Sequence, residues 1–429
     1  MAKIRITDIT HAGVGWGTDD STLGATVAPF SLPGDLIEAS SPTNNTPHPT
    51  LAYTIVEPSQ FRQTAPCSAF PKCSGCSFMH ALPTWQIDFK EQMVKKMLGE
   101  TAKNARWDQP LQGITEQYRR KARLRARWDP KSNTEFIGFK NRFGRFIADV
   151  DQCEVLAPPF NSLIQPLRDV IGKLDARASI PQLELAVGDN DAALILRHLS
   201  PLTTEDRETL RAFAIKSNIR LFLQSGGPDS VELLAATSTD PLFFTLPSFN
   251  LVLQFSPLDF IQAHGKLNDL LVSSAIDWLN PKSHEVILDL FCGLGNFSLP
   301  IAQRAAQVIG IEGSSAMTER ASSNAALNGI TNTTFFACDL EQPIAQHSWS
   351  HQKYDAILLD PPRSGANNII PALCEISPSR MVYVSCNPVT FARDAILLNS
   401  FGYNLSRVRV ADMFPHTEHV ETVGLFERT

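Results

Sequence analysis

Three stretches of the chain carry residues whose type and spacing suit covalent chemistry. The first is Val384-Ser385-Cys386-Asn387-Pro388, where a cysteine closes the strand-like run Met381–Ser385. A lone cysteine is most often inert packing, but a strand tip facing a cleft is a poor place for that role and a good one for a nucleophile. The second is Leu359-Asp360-Pro361-Pro362-Arg363-Ser364-Gly365, again at the end of a strand-like run. The third is Met413-Phe-Pro-His416-Thr-Glu418-His419-Val-Glu421. A thiol nucleophile needs a partner that moves protons, and on spacing alone His416, Glu418, His419 and Glu421 are all candidates.

A fourth stretch suits a nucleotide. Asp289-Leu-Phe-Cys-Gly293-Leu-Gly295-Asn296-Phe-Ser leads from a strand into a helix, and its two glycines let backbone approach a ligand. Glu312 lies about 20 residues past the first glycine, at the end of the next strand, where carboxylates bind ribose hydroxyls. Dinucleotide enzymes usually carry a third glycine, where this chain has Ser298. Elsewhere, Cys67, Cys73 and Cys76 form a dense group with a CxxC spacing. Three thiols invite a metal with a fourth ligand, and on spacing alone zinc and an iron–sulfur cluster are equally suited.

The elements that must position these groups change in character along the chain. Residues 1–58 read as a small all-β unit, with strand-like runs Lys3–Ile9, Ala25–Phe30 and Leu51–Val56 and a polar stretch Ser40–Pro49 suited to a flexible loop. Residues 59–250 mix strands and helices without regular alternation, an α+β pattern. This region includes a helix near 85–101 that could pack on the C-terminal domain. Residues 251–429 alternate strand and helix. Val286–Leu290, Val308–Glu312, Thr334–Ala337, Ala356–Asp360 and Met381–Ser385 read as buried strands of an α/β, doubly wound parallel sheet. Ligands of such a sheet bind beyond the carboxyl ends of its strands, which is where the first, second and fourth stretches fall.

The net charge of −6 disfavours an indiscriminate polyanion binder, yet the charge is unevenly spread. From Arg119 to Arg145 there are ten Lys or Arg against Asp129 and Glu135, so a basic island sits in an acidic protein. As a strand, Arg123-Leu-Arg125-Ala-Arg127 puts all three arginines on one face. That is either a solvated outer face or, with Trp128, Phe139, Phe143 and Phe146 interleaved, a phosphate-binding face. No stretch approaches the roughly 18 apolar residues of a membrane span, and the N-terminus lacks a signal-peptide core. A cytoplasmic protein with reduced cysteines is expected, with no membrane and no obligate protein partner.

The string DLFCGLGNFS resembles the first motif of class I S-adenosylmethionine (SAM) methyltransferases. That resemblance implies a SAM site built from Phe291, Asn296, Glu312 and Asp339. DLFCGLGNF, LLDPPRSG, VYVSCNP and DMFPHTEHVE together resemble the RNA uracil-C5 methyltransferase family, over essentially the whole chain and most densely after residue 250. The resemblance implies Cys386 as nucleophile toward C6 of a uracil and Glu421 as the base that removes the C5 proton. It sets Phe260 and Gln262 at the flipped base and cofactor, with Asp360 hydrogen-bonding nearby. It favours a [4Fe–4S] cluster on Cys67, Cys73, Cys76 and a distant Cys153. It also labels residues 1–58 a TRAM domain, an OB-like RNA-binding barrel, and gives 23S ribosomal RNA as substrate. The alternatives are a tRNA uridine or, in another class, an iron–sulfur RNA-binding protein with an inactive methyltransferase domain. Amino-group methyltransferases follow Asp-Pro-Pro with Tyr or Phe, and cytosine-5 enzymes carry a second cysteine there. Arg363-Ser364-Gly365 fits neither.

Overall fold

The computed structural model describes residues 2–19, 22–39, 53–144 and 146–428. The Ser40–Pro49 stretch and Arg145 lie outside the described residues. Six short strands open the chain: β1 (Ala2–Arg5), β2 (Asp8–Ile9), β3 (Val14–Asp19), β4 (Thr22–Pro29), β5 (Leu36–Ala39) and β6 (Tyr53–Glu57). They pair antiparallel as β1-β5-β6 and β2-β3-β4 around Ile4, Ile6, Ala28, Ile37 and Ala39. Glycine is required in β3, because a Cβ on Gly17 would stand 2.1 Å from the Arg5 carbonyl oxygen.

Helix α1 (Pro83–Leu98) starts with proline in its first turn, where the missing N–H costs nothing. Its buried residues Ile87, Met93, Val94 and Leu98 join the core beneath the C-terminal sheet. The short strand β7 (Arg106–Trp107) follows. A second, six-stranded sheet uses β8 (Lys121–Asp129), β9 (Thr134–Gly138), β10 (Gln182–Val187), β11 (Ala192–Arg197), β12 (Arg220–Gln224) and β13 (Val231–Ala235). Its order is β13-β12-β11-β10-β8-β9, with helices α2 (Ile164–Ile171) and α3 (Thr204–Lys216) beside it. The hairpin β14 (Leu242–Leu246) and β15 (Leu251–Phe255) then packs on α4 (Gly265–Leu279), sharing its core.

The C-terminal sheet contains β16 (Val286–Leu290), β17 (Gln307–Glu312), β18 (Thr333–Ala337), β19 (Ala356–Leu359) and β20 (Arg380–Ser385), all parallel, as the hydrophobic runs predict. Helices α5 (Ser298–Ala302), α6 (Ser315–Leu327), α7 (Ile370–Ile376) and α8 (Pro388–Ser400) connect or follow them. The sheet is mixed, which corrects the all-parallel expectation. Strands β21 (Tyr403–Ala411) and β22 (Glu421–Arg428) close it in the order β18-β17-β16-β19-β20-β22-β21-β7. β22 runs antiparallel between β20 and β21, and β7 adds the edge parallel to β21. A short turn-rich connection between β21 and β22 permits the antiparallel return that no helical crossover would give. Among the described residues no helix is long and apolar enough to cross a membrane.

Candidate active site

The strand order β20-β22-β21 brings the reactive groups together. β20 and β22 pair in register from Arg380↔Glu427 to Ser385↔Thr422. Cys386 and Glu421 come one residue beyond the last pair, and both line a cleft with a volume of about 1360 Å³. Asp360 at the end of β19 and Arg363 line the same cleft. Asn387 caps α8 by accepting a hydrogen bond from the Val389 amide at 3.1 Å, and its own amide donates to the Arg363 carbonyl at 3.0 Å. The two catalytic-type loops are thus tied to each other.

Electrostatics in this corner favour neutral acids. Burial raises the Glu421 carboxyl to about 8, Asp360 adds to the rise and Arg363 opposes it. Burial alone lifts Asp360 to about 7. The Cys386 thiol is pushed up to about 11 by burial and then by Glu421 and Asp360, again against Arg363. Without ligands the thiol keeps its proton, so the nucleophile must be activated after positive charge or substrate enters. Arg363 faces Cys386 and Glu421, and its guanidinium also meets His419 Nε2 at 3.3 Å. In the sequence, Arg363 serves only to exclude other methyltransferases.

Of the four candidate bases, Glu421 and His419 line the cleft. His416 does not: it is 1% exposed and its Nδ1 faces the Gln86 side chain at 3.2 Å. Glu418 accepts a hydrogen bond from the Ser77 hydroxyl. Burial lowers the His419 pKa, with Glu418 working the other way and Arg363 adding to the drop.

The cleft extends over the remaining residues singled out in the sequence. Phe291, Asn296, Glu312, Asp339, Phe260 and Gln262 all line it. Glu312 accepts hydrogen bonds from the Gly293 amide at 3.1 Å and the Ser314 amide at 3.2 Å, which fixes its carboxylate at the end of β17. Gly295 takes φ +97°, a conformation side chains resist. Asn296 exchanges two amide hydrogen bonds with Asn268, at 2.8 and 3.0 Å, a partner that α4 supplies and that sequence reasoning missed. Asp339 accepts from the Glu341 amide at 3.0 Å. Phe260, which lines the cleft, is 70% exposed. Asp289 was also missed. It is fully buried, raised to about 8 by burial, and hydrogen-bonded by the Ser298 hydroxyl. An acid inside an apolar strand was the available signal.

The alternating burial of β8 turns Arg123, Arg125 and Arg127 to solvent on one face. Arg123 pairs with Glu184 at 2.9 Å and reaches the cleft lining. The Arg127 guanidinium lies 4.7 Å from the Phe146 ring centre.

Cys67, Cys73, Cys76 and Cys153 gather in the core of the second sheet, Cys76 and Cys153 buried and the other two partly so. Burial raises the Cys76 thiol, with Cys153, Cys73 and Cys67 adding to the rise in that order and Arg119 opposing it. All four thiols therefore lie within electrostatic reach of one another. Among the described residues no group of three or more His, Cys, Asp or Glu is placed to hold a single metal ion.

The strand order, the glycine turn after β16 and the acid closing β17 define a SAM-dependent methyltransferase. Residues 248–429 match the family model described as tRNA (Uracil-5-)-methyltransferase. The chain is 39% identical to "23S rRNA (uracil(1939)-C(5))-methyltransferase RlmD" of Hahella chejuensis, over 99% of this chain and 96% of that protein. It is 40% identical to the protein of that name from Alcanivorax borkumensis, over 88% and 85%. A solved structure, Pyrococcus abyssi tRNA (uracil-54, C5)-methyltransferase in complex with S-adenosyl-L-homocysteine, superposes with a TM-score of 0.75 at 21% identity, covering 99% of this chain and all of that one. The chain belongs to the RNA uracil-C5 methyltransferase family.

Proposed function

We propose that this enzyme methylates C5 of a uridine in 23S ribosomal RNA, after flipping the base from its stack into the cleft. The observation that carries the mechanism is the β20–β22 register, which sets Cys386 beside Glu421 in the cofactor cleft. C5 of uracil is a weak nucleophile. Attack of the Cys386 thiolate on C6 moves the C5=C6 electrons toward the C4 carbonyl and makes C5 nucleophilic. Bound SAM supplies the methyl group and a positive sulfonium charge, held by Phe291, Asn296, Glu312, Asp339 and Gln262, with Asp360 nearby. Phe260 stacks on the flipped base. Glu421 then takes the C5 proton, the C5–H electrons restore the double bond, and the C6–S bond breaks to release the thiolate. Arg363 steadies the Glu421 carboxylate before it takes the proton and the Cys386 thiolate before attack and after release.

The donor set of the second sheet fits a [4Fe–4S] cluster on Cys67, Cys73, Cys76 and Cys153. The supporting observation is that burial disfavours free thiolates there, while Arg119 beside Cys76 and Arg142 beside Cys73 offset the charge of metal-bound ones. Such a cluster would cross-link the 67–76 loop to the segment around residue 153. Residues 1–58 serve as a TRAM-like RNA-binding barrel, residues 59–250 as the cluster-bearing domain with β8 as its RNA face, and residues 251–429 as the catalytic domain, in a cytoplasmic protein.

The decisive experiment traps the adduct. Cys386→Ala should neither methylate nor form a covalent RNA complex. Glu421→Gln should accept the methyl group and then stall as a protein–RNA band on a denaturing gel. Methylation without any adduct in either wild type or Glu421→Gln would overturn the chemistry, and zinc in place of iron in anaerobic protein would overturn the cluster.

A further inference from the structure

The loop between β21 and β22 carries Glu421 into the cleft, and the contacts that hold it come from far upstream. Lys90, with a side chain 0% exposed, pairs with Asp412 at 2.6 Å and donates to the Phe414 carbonyl at 3.1 Å. The Tyr118 hydroxyl donates to the Pro415 carbonyl at 3.0 Å. The amides of Ser77 and Phe78 both donate to the His416 carbonyl, at 2.7 and 2.9 Å. Gln86 accepts from the His416 amide at 2.8 Å, and the Ser77 hydroxyl donates to Glu418. His416 itself takes φ +67°. A non-glycine residue persists there only when its surroundings over-determine it, and here donors from three upstream segments do so.

We propose that Ser77 and its bond to Glu418 form a latch that positions the Glu421 loop, so that the segment directly after Cys76 sets how well the base reaches C5. This rests on the reading of Glu421 as the base. Ser77 and Glu418 touch no reacting atom; they act through the three-residue link from Glu418 to Glu421. Freed at Glu418, the loop loses the side-chain bond that ties it to the segment after Cys76. A base misplaced by about 1 Å can slow its step by up to roughly a hundredfold. The defect falls on proton removal, which uses Glu421, and spares methyl transfer, which uses Cys386 and the cofactor.

The test is single-turnover rapid quench on the full-length, metal-loaded enzyme, timing appearance and resolution of the methylated adduct separately. Ser77→Ala and Glu418→Ala should each slow resolution on the order of tenfold or more, leave methyl transfer within about twofold and leave S-adenosylhomocysteine affinity unchanged. Ser77→Thr, which keeps the hydroxyl, should restore resolution. The Ser77→Ala/Glu418→Ala double variant should be no slower than either single one, since both remove one bond. Iron content checks that Ser77→Ala has not disturbed its cysteine neighbour, and Glu418→Ala reads the same bond from a residue remote from the thiols. Wild-type resolution in both singles, additive effects in the double, or equal slowing of transfer and resolution would each overturn the latch. Glu421→Gln is run in parallel. Its stalling beside normal resolution in Ser77→Ala sinks the latch alone, whereas normal turnover in Glu421→Gln sinks the base assignment.

Discussion

Glutamine at position 421 should make the ligand-free protein more stable at pH 8 while leaving it unable to finish its reaction. Glu421 is 3% exposed, and burial, helped by Asp360 and opposed by Arg363, holds its carboxyl at about 8 against an ordinary 4.5. Between those values the folded chain keeps a proton that the unfolded chain has released. The unfolded state binds fewer protons there, so stability falls as pH rises from about 4.5 to 8. At about 1.4 kcal/mol per pKa unit the full loss has a ceiling of about 5 kcal/mol. Asp360 shares the repulsion, so about 3 kcal/mol is the working figure for Glu421 alone. A neutral amide of the same shape avoids this loss. Melting temperatures of wild type and Glu421→Gln, taken at pH 5, 6, 7 and 8, should diverge toward alkaline pH. In a domain of roughly 150–250 residues the divergence is about 2–4 °C for each kcal/mol. Equal differences at pH 5 and pH 8 would refute the argument that this carboxyl resists ionisation. Proton removal needs the ionised carboxylate, and burial together with Asp360 opposes that ionisation. Adduct resolution should therefore rise with pH and level off once the base is ionised.

Three further outcomes follow from the same structure. Lys90→Met should cost about 3–5 kcal/mol in urea unfolding, because it leaves Asp412 charged and buried, whereas Lys90→Met/Asp412→Leu should recover most of that loss; a double variant as unstable as the single one would contradict this. Glu312→Ala should weaken S-adenosylhomocysteine binding by roughly tenfold or more in calorimetry, with no compensating affinity for NADH. Replacing Arg123, Arg125 and Arg127 together by glutamine should lower RNA affinity and flatten its salt dependence by about 0.7–0.9 for each phosphate no longer neutralised. The change should correspond more nearly to two phosphates than to three, since Arg123 is already paired with Glu184; an unchanged salt slope would make β8 a solvated face.

Five parallel strands were legible because each is a short apolar run ending in a polar residue, and burial on both faces imposes that pattern. The antiparallel pair β21 and β22 was not, since no local signal says that the chain turns back between two earlier neighbours. The same return gives Glu421 its meaning. On spacing alone Glu421 was one of four equivalent candidates, singled out by the family resemblance, and the register of β22 against β20 brings it beside Cys386 while sending His416 and Glu418 elsewhere.

What the sequence by itself determined is the inventory: a strand-end cysteine, a glycine turn followed by an acid at ribose-binding distance, four cysteines and a basic strand with its arginines on one face. These follow from local geometry, because strand period, turn chemistry and helix entry are set by residues a few positions apart. What residue spacing left open, the tertiary structure decided: which acid meets the thiol and how far burial lifts it. It also decided that Lys90 and Ser77 hold a loop more than 300 residues away in the chain. Hydrogen bonds and desolvation act over a few ångströms of space, and no spacing along a chain encodes neighbours separated by two sheets.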